Sequence, residues 1–211
     1  MGEAKRRREA EIREEGAAVK VDMHRVAAAV NKICWAASPH HSQNCLLQAE
    51  LARDLLADLG VSAQIVAGAA AWRLGQADGD VLSHVPKPGF KPAHPNEVPF
   101  HAWLRIGGMI FDVTTADMRE KATALDAQDG GRTNVDWAPP FLFVRVDQVS
   151  SYHDVAQGRA GLFFYQEDAY LTQLINDTIN QNSRDAEDSR MVRLAYENPD
   201  ANVFGPNMIE A

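Results

Sequence analysis

The segment Phe100 to Thr115 (FHAWLRIGGMIFDVTT) admits few structures. Two strand-like runs flank Gly107-Gly108, a two-residue connection of the kind that closes a β-hairpin. With that bend Ile106 pairs with Met109, Arg105 with Ile110 and Leu104 with Phe111. Paired residues share a face of the sheet. One face then holds Phe100, Ala102, Leu104, Ile106, Met109, Phe111 and Val113, all apolar, and reads as the core side. The other holds His101, Trp103, Arg105, Ile110, Asp112 and Thr114. His101 and Asp112 are diagonal neighbours on it, roughly 7–8 Å apart and within reach of each other through their side chains. A one-residue slip would send them to opposite faces.

A solvated sheet face also carries His, Arg and Asp, so the hairpin alone divides between a site and an ordinary surface. Trp103 tilts the balance toward a covered cleft, because a large aromatic is rarely left in water. Trp72, near the end of the preceding strand, is assigned to the same substrate cleft. On this reading Asp112 lies off the core, and Asp112→Ala is expected to leave the chain folded.

A thiol stands upstream. Gln43 to Leu59 reads as a helix, with Leu47, Leu51 and Leu55 along one line and Gly60 as its stop. Ser42 or Asn44 can cap it, which puts Cys45 in its first turn, where unpaired N–H groups and the helix dipole favour anionic sulfur. Those N–H groups, with Gln43 or Asn44, are candidates to steady an oxyanion. Cys34, inside a helix from Val19 to Ala37, reads as a small buried hydrophobe.

The remaining chain reads as a mixed α+β protein. Val61–Trp72 is expected as a buried strand, residues 75–99 as a Pro-rich loop, and residues 116–140 as a polar connection. Phe141–Val146 is a further strand, Leu162–Tyr165 a short one, and Gln166–Asn182 a helix. Three segments follow: a charged N-terminal stretch (1–18), an enzyme domain (19–182) and a C-terminal tail (183–211) that is helical or mobile. A formal net charge of −8 argues against a nucleic-acid-coating protein, although Lys5-Arg6-Arg7-Arg8 forms a local basic cluster, followed by acidic residues at helical spacing. Two cysteines make no disulfide framework, and there is neither a secretory signal nor a membrane-spanning run, so a cytoplasmic location is expected.

Residues 44–68 (NCLLQAELARDLLADLGVSAQIVAG) and 101–115 (HAWLRIGGMIFDVTT) resemble the transglutaminase-like branch of the papain-like superfamily, and most of all its small bacterial members, such as the leader peptidases of lasso-peptide maturation. The shared pattern is Cys at a helix start, then a strand, then His-Ala-Trp on one strand and Asp on the next. Asn44 stands where the family usually has Gly before the Cys. The resemblance implies a papain-like α+β core, with the Cys helix packed on an antiparallel sheet. It also implies a cofactor-free cysteine enzyme acting on a peptide or protein, in which Cys45 is the nucleophile, His101 the general base and then acid, and Asp112 the group that orients the imidazole.

Two other readings compete. A non-catalytic interaction module would keep the same scaffold around an unreactive thiol. A metal site would draw on His40, His41, Cys45, His84, His94 and His101, whose spacing fits no common zinc pattern.

Overall fold

The two-glycine bend forms where the sequence puts it. Strands β3 (His101–Ile106) and β4 (Met109–Asp112) pair antiparallel in the expected register, Leu104 with Phe111, Arg105 with Ile110 and Ile106 with Met109. Gly107 takes the left-handed backbone at φ 57°, which glycine adopts without a Cβ penalty. The computed structural model describes residues 20–38, 40–85, 99–158, 160–181 and 186–208, together with positions 8, 13, 15, 16 and 18. Lys5, Arg6 and Arg7, the prolines from 86 to 95, and His94 lie outside the described residues.

The sheet is antiparallel throughout and has six strands among the described residues, so the α+β reading holds. Its spine is β1 (Gln64–Arg73), which pairs with β3 along residues 64–68, with β2 (Val81–Ser83) along 71–73, and with β6 (Phe163–Glu167) along 68–72. Strand β5 (Leu142–Arg145) closes the far side against β4. β2 lies inside the stretch expected to be all loop, where three residues are too few to leave a periodic signal.

Helices cover one face. α1 (Met23–Ala37) is capped by Asp22, whose carboxylate accepts the Arg25 N–H at 3.0 Å, so it starts four residues later than expected. α2 (Cys45–Asp58) lies against β3, burying Ala49, Leu51, Ala52, Leu55 and Leu56 with Ala102, Leu104, Ile106 and Phe111. Neither expected cap residue caps it: Asn44 occupies the position without a side-chain hydrogen bond, and Ser42 is buried in the preceding turn, His41–Gln43. α4 (Ala169–Gln181) packs on β1. α5 (Ala186–Glu197), within the expected tail, docks on α1 and α2 and buries Val192 and Ala195 in the same core.

The second face departs from expectation. It is a second core rather than a substrate cleft: Val66, Ala70, Trp72, Trp103, Ile110, Leu142 and Tyr165 pack under α3 (Met118–Asp129) through Met118 and Ala122. α3 falls in the segment expected to be a connection, because its sequence (MREKATALDAQD) turns so few apolar residues inward that no helical stripe is legible. Asp112 is consequently 1% exposed, and the expectation that it lies off the core is overturned. Among the described residues no helix is long and apolar enough to cross a membrane.

Candidate active site

The site is assembled by strand parity around small residues. His101 pairs with Gly68 and Tyr165 with Ala70, so both rings rise from the same face as Trp72, two residues further along β1. Gly68 and Ala70 have almost no side chain, which leaves the rings room to fold over β1 and meet. Gly68 is also required by close approach, since a Cβ there would lie 2.1 Å from the Gln166 carbonyl oxygen of β6. The Ala/Gly-rich run of β1, a poor strand signal by propensity, thus has a packing role.

A chain of hydrogen bonds results. His101 Nε2 meets Asp112 Oδ2 at 2.8 Å, with both side chains fully buried. The Tyr165 hydroxyl donates to that same Oδ2 at 2.7 Å, and the Trp72 indole N–H donates to the Tyr165 oxygen at 2.9 Å. The Thr114 N–H donates to Asp112 Oδ1 at 2.9 Å. Aromatic rings enclose the imidazole: His84 stacks on it at 5.5 Å, Trp103 lies parallel at 6.0 Å, and Trp72 meets it edge-on at 4.8 Å.

Cys45 opens α2, half-buried, with the Ala102 N–H and the His101 imidazole acting on its sulfur. His101 Nδ1 is buried and makes no hydrogen bond of standard geometry, and the Cys45 thiol acts on the same imidazole. Burial pushes the Cys45 thiol up, but the neighbouring His101 imidazole, the charge of Lys121 and the Ala102 N–H outweigh it and hold the thiol below its ordinary value. Burial disfavours the His101 cation, yet the charge and hydrogen bond of Asp112, joined by Cys45, raise its proton affinity. Burial likewise opposes the Asp112 charge, and His101, Lys121 and the Tyr165 hydroxyl hold the carboxyl well below the usual carboxylate range. Tyr165, buried beside that carboxylate, is held well above its ordinary value. His84 is pushed down to about 3, first by burial and then by the charges of His101 and Lys121, and stays neutral.

Of the residues singled out in the sequence, Cys45, His101 and Asp112 are brought together. Gln43 and Asn44 are exposed at the mouth of α2, and no hydrogen bond ties either side chain to the site among the described residues. Trp72 and Trp103, assigned to a substrate cleft, are instead 1% and 4% exposed and wall the imidazole from within the second core. Cys34 is buried among the helices, as expected. Nothing local in the chain marks Tyr165, and by sequence His84 reads only as a candidate metal ligand. Lys121 lay in a segment read as loop. The partners of these three become visible only through long-range pairing. Among the described residues no group of three or more His, Cys, Asp or Glu is arranged to hold a metal ion.

No family model and no curated protein matches the chain. A solved structure described as "The crystal structure of genomics APC5867" is similar over 83% of this chain and 77% of its own, with a TM-score of 0.54 and 19% sequence identity. At that identity the likeness speaks for the fold, an α+β arrangement on an antiparallel sheet.

Proposed function

We propose that this chain is a cysteine enzyme with a papain-like, transglutaminase-like core, acting on an amide or ester through Cys45, His101 and Asp112. One observation carries the reading: a fully buried imidazole–carboxylate pair, 2.8 Å apart, with a thiol at a helix start acting on the same imidazole. A buried ion-pairing network is costly to keep, and a stability role does not require a thiol beside it. With the Nε2 proton donated to Asp112, Nδ1 keeps the lone pair that a thiol proton needs.

In this reading Cys45 Sγ attacks the acyl carbon as its proton passes to His101. The S–C bond forms, and the imidazolium then returns the proton to the leaving amine or alcohol as the C–N or C–O bond breaks. His101 next takes a proton from water or from an acceptor amine, which attacks the thioester and frees Cys45. Asp112 holds the ring in one tautomer and offsets the imidazolium charge, in turn fixed by Tyr165 and the Thr114 N–H. A peptide or protein amide is the substrate class that the family resemblance suggests.

Iodoacetamide labelling read by mass spectrometry tests the proposal. Cys45 is expected to react faster than Cys34 at pH 7, and more slowly in His101→Ala. Equal rates for the two thiols would overturn the reading. A second reading, a non-catalytic module on the same scaffold, draws on the closure of Trp72 and Trp103 over the imidazole. It predicts that p-nitrophenyl acetate leaves no acetyl group on Cys45.

A further inference from the structure

The His101 imidazole is the middle ring of a row that the acyl chemistry leaves unexplained. Three residues stand along one edge of β1 at two-residue steps: Trp103 opposite Val66, His101 opposite Gly68, and His84 beside Ala70, whose carbonyl accepts the His84 N–H at 2.8 Å. Positions two apart on a strand edge share a face, roughly 7 Å from one another. The three rings use that spacing as a stack. Trp103 and His101 lie 6.0 Å apart, and His84 and His101 5.5 Å apart, each pair 17° from parallel. His84 follows directly on β2, which pairs Ser83 with Ala71, so its place in the row is set by backbone register rather than by loop packing. Among the described residues its ring meets two others, His101 and, edge-on at 5.8 Å, Trp72.

A hydrogen bond at one nitrogen does not fix a ring. His101 Nε2 meets Asp112 at 2.8 Å, and the imidazole keeps a swing about that bond. Flat rings on both sides remove the swing. The Trp103 face also offers π-density to a ring that becomes a cation as it takes the thiol proton. His84 is held neutral, first by burial and then by the charges of His101 and Lys121, so it sets no second cation against that imidazolium. We infer that His84 is a positioning residue of the Cys45 site: with Trp103 it sandwiches the His101 imidazole and holds it in the one orientation from which it activates the thiol. This rests on the reading of Cys45 as a nucleophile and His101 as its base.

A double-mutant cycle in the full-length chain separates positioning from general packing. Iodoacetamide alkylates Cys45 Sγ with loss of iodide. Its rate at pH 7 is read by mass spectrometry in the wild type, His84→Ala, His101→Ala and the double variant, with thermal melts to establish that each is folded. His84→Ala is expected to slow labelling about three- to tenfold while His101 is present, the scale of one aromatic pair. In the His101→Ala background the same substitution is expected to change the rate by less than about twofold, because no imidazole is left to hold. His84→Phe restores a flat ring and is expected to return the rate to within about twofold of wild type. An equal factor in both backgrounds would mark His84 as packing and overturn the inference. So would a His84→Ala rate equal to or above wild type, or a His84→Phe rate as low as that of His84→Ala. Each of these results leaves the nucleophile standing as long as Cys45 outpaces Cys34. Equal rates for the two thiols in the wild type would overturn both. If His84→Ala does not fold, His84→Leu, which fills the space without a flat face, takes its place in the cycle.

Discussion

Removing the Asp112 carboxylate is the sharpest perturbation of this molecule. In Asp112→Ala three buried donors lose their acceptor at once: His101 Nε2 at 2.8 Å, the Tyr165 hydroxyl at 2.7 Å and the Thr114 N–H at 2.9 Å. A buried donor left without a partner costs about 1–3 kcal/mol, and breaking one side of a buried ion pair costs about 3–5 kcal/mol. These contributions overlap because the donors share one carboxylate, so the expected loss is about 3–5 kcal/mol. For a chain of this size each kcal/mol moves the melting temperature by roughly 2–4 °C, giving a fall of roughly 6–20 °C. The assay is a thermal melt at pH 7 followed by near-UV circular dichroism, which reports the tryptophans around the imidazole. Asp112→Asn keeps an oxygen for one donor and is expected to lose less stability. Both variants are expected to slow iodoacetamide labelling of Cys45, since the imidazole loses the charge that raises its proton affinity. A melting temperature within about 2 °C of wild type would refute the reasoning that Asp112 anchors this network.

His84 makes a pH prediction with a definite sign. Folded, it stays neutral down to about 3; unfolded, it takes a proton near 6.5. The unfolded state therefore binds the extra proton across that window, and stability falls as pH drops through it, by up to about 1.4 kcal/mol per pH unit. His84→Phe, which keeps a ring against His101, is expected to flatten that part of the stability–pH curve, and an unchanged slope in denaturant titrations at pH 6, 5 and 4 would count against it. Tyr165→Phe removes a donor to a charged acceptor and also the acceptor of the Trp72 indole N–H, so a loss of about 1.5–3 kcal/mol is expected in urea unfolding. If its stability equals wild type, the Trp72–Tyr165–Asp112 chain is not an energetic unit.

Much of the site was legible in the chain because its information is local. Two glycines fix a hairpin register, register fixes parity, and parity puts His101 and Asp112 on one side, where they meet. The position of Cys45 at a helix start followed from a leucine stripe and a break before it. The capping side chain did not follow, because a cap depends on the local approach of the chain rather than on residue type alone. Trp103 and Trp72 looked like cleft residues because an aromatic beside polar groups implies a cover, without saying whether substrate or protein supplies it.

The sequence by itself determined the short-range order of this protein: helix, strand, hairpin, and the sides on which their residues stand. These depend on backbone geometry and on spacings of a few residues, which no distant segment can easily change. Tertiary structure alone decided that the polar face of the hairpin is sealed. β6 and α3 come from residues after 117, and their sequences do not announce that they fold back over His101 and Asp112. Burial and electrostatics are properties of what surrounds a group. The raised proton affinity of His101, the Tyr165 bond to Asp112 and the burial of Lys121 exist only once those distant segments have closed over the sheet.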